Sequence, residues 1–190
     1  MNAFEDIVAV YLEERGYWVR QHVKVHNITK EDKVALGRFS LPTPEIDIVA
    51  YEVVKDTLFI VEVKSLLDSY GVHYNAVSGL GNSEADKKDA KRYRLFNDDI
   101  FRTVITKRLR EEYLSEKLIN SKTIISYALV AGNIATTWDE EKLKDYFVQK
   151  AWWLILPDDI KNGIKELSKK GWEDSVIVMT AKLVKEVKPS

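Results

Sequence analysis

Asp47, Glu62 and Lys64 are the residues of this chain whose types and spacing point most directly to chemistry. They lie within Glu45–Ser65, two alternating, β-branched runs joined by a polar turn at Lys55 and Asp56, a pattern that reads as a β-hairpin. With a two-residue loop, Val54 faces Thr57, and counting outward sets Val49 opposite Glu62 and Asp47 opposite Lys64. Side chains alternate with period two, so Asp47, Val49, Glu62 and Lys64 project from one face of the sheet. On the second strand that face carries Leu58 and Ile60 before it turns charged, while Phe59, Val61 and Val63 stay apolar on the other. Charges at the end of a core strand are costly unless they are paired or bound to metal, so the strand's end reads as a site. The reading hangs on register: a three-residue loop would send Asp47 to the opposite face.

An acid on one strand, Glu62-Val63-Lys64 on the next and Pro44 just upstream resemble the PD-(D/E)xK nuclease superfamily, nearest to its Mrr-like and Holliday-junction-resolvase-like members. Glu45 and Ile46 separate the proline from Asp47, a departure from the contiguous form. The resemblance implies a restriction-endonuclease-like fold and metal-dependent hydrolysis of phosphodiester bonds in DNA, of the restriction or repair and recombination type. It implies one or two Mg²⁺ (or Mn²⁺) ions held by Asp47, Glu62 and the carbonyl of Val63. Lys64 would orient the attacking water, help deprotonate it or steady the negative transition state.

Phe4-Glu5 and Gly16-Tyr17 match the opening helix of the same relatives, whose acid assists metal or water binding, so Glu5 joins the candidate catalytic and metal-binding residues. Asn2 followed three residues later by Glu5 also fits a capping-box start, which would give Glu5 a purely local role. A competing class is a nuclease-fold module without activity that binds nucleic acid or assembles with an active partner. A third reading makes Glu62 and Lys64 a structural ion pair only, bonded to each other with Asp47 pointing elsewhere. Nucleases that cut paired strands commonly act as symmetric dimers, so a homodimer is expected.

Periodicity supplies the elements around this centre. Phe4, Ile7, Val8, Tyr11 and Leu12 predict a helix over residues 2–15, and residues 17–26 read as a strand with one wet face that carries Arg20, His22, Lys24 and His26. Residues 27–44 read as a polar loop, and residues 65–83 as a long connection whose His73 and Tyr74 are candidates to touch nucleic acid. Helical spacing continues from residue 84 to about 119, as one long helix or two with a bend. Lys88, Lys91 and Arg92 form a stripe at its start, a candidate phosphate contact whose alternative is a solvated face with internal ion pairs. A strand at 123–130, a helix opened by Thr137-x-x-Glu140, an apolar strand at 152–156, a helix from Pro157 and a closing helix through Val187 complete the chain.

The order implies an α/β protein, a mixed sheet flanked by helices, in one domain over 1–190 with its core at about 3–130 and an α/β extension at about 131–190. There is no cysteine and there are three histidines, which disfavours thiolate or zinc sites and leaves oxygen ligands. No apolar run is long enough to span a bilayer and no leader pattern opens the chain, so a cytoplasmic protein without membrane contact is expected. The formal net charge is −1, but residues 84–110 hold nine basic and five acidic side chains, so they are net +4 and the remainder is net −5.

Overall fold

The computed structural model describes residues 3–37, 42–171 and 175–184. Helix α1 (Ala3–Glu13) leads into strand β1 (Trp18–Lys24), helix α2 (Lys30–Ala35), strand β2 (Glu45–Glu52) and strand β3 (Thr57–Lys64). Helices α3 (Tyr74–Ser78), α4 (Glu84–Ala90), α5 (Arg94–Asn97) and α6 (Asp99–Ser115) precede strand β4 (Ile124–Ala131). Helix α7 (Thr137–Lys150), strand β5 (Trp153–Ile155), helix α8 (Pro157–Leu167) and helix α9 (Val176–Leu183) follow.

The strands form one mixed sheet in the order β1-β2-β3-β4-β5, antiparallel from β1 to β3 and parallel from β3 to β5. Alternation on β3 sorts its side chains between two cores. Leu58 and Ile60 pack with Ile105, Leu109 and Tyr113 of α6 and with Leu143 and Phe147 of α7. Val61 and Val63 pack with Phe4, Val8 and Leu12 of α1 and with Ile160 of α8. The sheet is therefore covered on both faces, an α/β/α layering in which β3 is central and hydrophobic on both sides. The chain after residue 130 is no appendage, because α7 closes one core and β5 extends the sheet.

The hairpin differs from the expectation in length but not in parity. Val53–Asp56 form a four-residue turn, and Glu52 rather than Val54 stands opposite Thr57. The register moves by two residues, so Val49 faces Ile60 instead of Glu62. An even shift preserves parity, and Val49, Leu58 and Ile60 share one core as predicted. The turn is held by Asp56, which has a positive φ of 47° and accepts hydrogen bonds from the Tyr51, Thr123 and Asn120 side chains.

Other boundaries also move. The expected loop at 27–44 contains α2, started by a capping box between Thr29 and Asp32. The long connection contains α3, and the long helix is broken into α4, a 3₁₀ turn over Lys91–Tyr93, α5 and α6. The last break is local chemistry: Asp98 leaves helical geometry, and its carboxylate accepts the Phe101 N–H to start α6. Thr136, not Thr137, caps α7. The proposed Asn2 cap and the closing helix beyond Val184 lie outside the described residues. No helix among the described residues is long and apolar enough to cross a membrane.

Candidate active site

The β2–β3 ladder runs from Glu52 opposite Thr57 to Ile48 opposite Val61, and no partner on β2 faces Val63, although β2 continues to pair with β1 as far as Glu45. The two strands thus cease pairing one step before the acid-bearing positions. Asp47 occupies that gap: its Oδ2 accepts the Val63 N–H at 2.7 Å. In a strand the N–H and C=O of one residue project to the same edge, so the Val63 carbonyl faces the gap that Asp47 lines. On the other side β3 stays fully paired, Lys64 opposite Ala131, and the Gly132 N–H donates to the Lys64 carbonyl at 2.8 Å.

The Lys64 ammonium makes an ion pair with Glu62, and both side chains are about three-quarters or more shielded from solvent. Burial pushes the Glu62 carboxyl up from its ordinary range; Lys64 opposes that, and Asp47 and Glu5 reinforce it. Burial pulls the Lys64 ammonium down, but the surrounding Glu62, Asp47 and Glu5 carboxylates outweigh it and the net shift is upward. Glu5 is buried in the first turn of α1 and belongs to the same electrostatic cluster; its Oε2 lies 3.6 Å from His22 Nδ1. Glu62 and Lys64 are bonded to each other, as the structural ion-pair reading expects, while Asp47 bonds the Val63 backbone beside them.

Asp47, Glu62 and Glu5 gather around the one Lys64 ammonium, so that carboxylates outnumber the cation, an excess set in a poorly solvated place. Hard oxygen donors with that excess suit a divalent cation such as Mg²⁺. Among the described residues, no group of three or more His, Asp or Glu side chains stands ready-assembled around one point. The fit therefore lies in the charge and in the donors at the gap, Asp47, Glu62 and the Val63 carbonyl.

The weaker candidates are dispersed. Arg92 and Tyr93 line one small cavity, whereas Lys91 lines a separate open cavity with Lys87 and Arg94. Lys88 is exposed on α4. His73 Nδ1 is 3.7 Å from the buried Asp139, and the Tyr74 ring meets Trp138 and Tyr146 edge-on, which makes Tyr74 part of the packing. Two residues that the sequence reading did not place among the site candidates lie beside these groups. Tyr93 places its ring centroid 6.0 Å from Lys64 Nζ, and burial, with Glu62 and Asp89, pushes its hydroxyl up. His22 has a positive φ of 53° within β1 and sits between Glu5 and Glu45, 3.3 Å from the latter. A histidine on a wet strand face carries no sequence signal for that backbone state.

Comparison with protein-family models, with curated proteins and with solved structures finds no match for this chain.

Proposed function

We propose that the protein is a metal-dependent DNA endonuclease with a restriction-endonuclease-like core. One observation carries the reading: Asp47, Glu62 and Lys64 converge where the β2–β3 pairing ends, with Asp47 bonded to the backbone of the Glu-x-Lys segment itself. The succession of a helix, three antiparallel strands, helices and a parallel fourth strand is the order expected of such a core.

Asp47, Glu62 and the Val63 carbonyl would hold Mg²⁺, which when bound neutralises charge on a phosphate and lowers the pKa of water. In the metal-free protein the surrounding carboxylates shift the Lys64 pKa upward against the effect of burial. Paired with Glu62 at the strand end, Lys64 suits an electrostatic role, orienting water and offsetting the negative transition state. Glu5 adds negative charge from α1 and sets how strongly the site attracts a cation.

Incubation with plasmid, linear, single-stranded and branched DNA in Mg²⁺ or Mn²⁺ tests the proposal. Cutting is expected, and Asp47→Ala, Glu62→Gln and Lys64→Ala should each lower it by about 100-fold or more. Cutting unchanged in all three variants rejects the assignment. The Glu62–Lys64 pair favours a second reading, a nuclease-fold module whose site is closed by its own lysine and which only binds nucleic acid or an active partner. That reading predicts no cutting on any substrate and no heat of Mg²⁺ binding by calorimetry.

A further inference from the structure

The segment after Lys64 is a fixed wall. The Val72 N–H donates to the Asn133 carbonyl at 3.0 Å, the Ala135 N–H to the Val72 carbonyl at 3.1 Å, and the Asn133 side-chain amide to the Ser69 carbonyl at 3.0 Å. Gly71, at φ +87°, lies so close to the β4–α7 connection that a Cβ there would meet the Ile134 carbonyl carbon at 2.7 Å. Behind this wall is a cavity of about 140 Å³ lined by Ser69, Tyr70, His73, Asp89, Arg92 and Tyr93.

Tyr93 joins that cavity to the candidate active site, since its ring lies beside Lys64. The ring is buried, while its hydroxyl, which no described residue hydrogen-bonds, is not among the sequestered polar atoms and is open to a group in the cavity.

We propose that this cavity receives one unpaired nucleobase, so that the substrate class is nucleic acid with a single-stranded or displaced nucleotide beside the cleaved phosphate; the position of that phosphate rests on the nuclease reading. The volume is below the roughly 300–1,000 Å³ of drug-sized pockets, room for one heteroaromatic ring system and not for a base pair. The lining mixes donors and acceptors: the Tyr93 and Ser69 hydroxyls, the His73 imidazole and the Asp89 carboxylate. Asp89 accepts from an exocyclic amino group and repels a phosphate, and it already stands 3.8 Å from Arg92, so the cavity matches a base better than an anion. His73 is steadied by Asp139 through Nδ1, which leaves its other ring nitrogen outside that pair. Tyr70, 89 % exposed at the rim, offers a face on which a base stacks.

The test uses oligonucleotides carrying 2-aminopurine, measured by fluorescence in EDTA so that no metal-dependent cutting intervenes. A single-stranded or flapped oligonucleotide is expected to bind about 10-fold or more tighter than a blunt duplex of the same length, with the 2-aminopurine quenched. Tyr70→Ala and Tyr93→Phe should each lower that preference by about 5- to 10-fold. Tyr70 is on the surface and Tyr93→Phe keeps the ring, so both variants preserve the core. Equal affinity for single strand and duplex, or a preference that both variants retain, overturns the proposal even if the protein cuts DNA. A preference that both variants lose, in a protein that cuts nothing in Mg²⁺, upholds the base site while the nuclease reading falls.

Discussion

Asp47 does two things that pull in opposite directions. Its carboxylate accepts the Val63 N–H, which fixes the strand end, and its charge raises the Glu62 pKa by repulsion. Asparagine keeps an acceptor oxygen but removes the repulsion. Asp47→Asn is therefore expected to raise metal-free stability by about 0.5–2 kcal/mol in thermal unfolding with EDTA while abolishing cutting. Unchanged or reduced stability would show that the repulsion is relieved some other way. At this scale Glu62 and Lys64 were legible because the face they share with Leu58 and Ile60 follows from alternation along β3, and a four-residue turn preserves parity as a two-residue one does, whereas the bond of Asp47 to the Val63 N–H is set by the end of the ladder. Tyr93 was not legible as a site residue, since an aromatic at helical spacing reads as core, and its position beside Lys64 arises from a 3₁₀ turn that periodicity does not register.

At the scale of elements, the site depends on contacts that carry no charge. Gly132, just past β4, lies where a Cβ would come within 2.3 Å of the Ser65 carbonyl oxygen and 2.9 Å of the Phe4 ring. The end of β4, the exit from β3 and the first turn of α1 thus meet at one residue, and that meeting sets Glu5 relative to Lys64. Gly132→Ala should cost about 1–3 kcal/mol by overpacking and reduce cutting although no charged group is removed; denaturant unfolding and the cutting rate check both.

Helix α2 is tied to α6 by Arg108, which donates to Asp32 at 2.6 Å, and this bond holds the Asp32 carboxyl down at about 2. A depressed carboxyl contributes stability above its unfolded value near 3.8 and loses it as pH falls toward 2. Arg108→Leu should therefore be less stable at pH 7 by about 1–2 kcal/mol, after allowance for solvent screening, and the gap should close between pH 4 and 2. A gap independent of pH would assign the loss to packing. The element order and the layering were legible from periodicity, whereas the breaks near Tyr93 and Asp98 were not, because they depend on cap bonds and packing and leave the apolar spacing intact.

For the whole molecule, the basic excess at 84–110 does not amount to a basic surface. Lys87, Arg92, Arg94, Arg102 and Arg108 are each paired with a neighbouring carboxylate, and Arg110 donates to the Thr123 carbonyl. Among the described residues of that segment, Lys88, Lys91 and Lys107 alone are left without such a partner. Binding of duplex DNA is therefore expected to show a log K against log salt slope no steeper than about −3, and Lys88→Ala with Lys91→Ala should flatten it by about 2. A slope near −8 would show that a larger surface makes the contact.

The parallel pairing of β3 with β4 also sets when the site comes into being. Thr123 bonds to Asp56 across 67 residues of chain, a closure far longer than that of the hairpin that carries Asp47, Glu62 and Lys64. During synthesis the hairpin can zip as soon as it emerges, but β3 remains an edge until β4 is made. The residues of the candidate site are encoded within the first 64 positions, yet their strand is flanked on both sides only once strand 124–131 is made, so a growing chain completes the candidate site only after most of its own fold is in place.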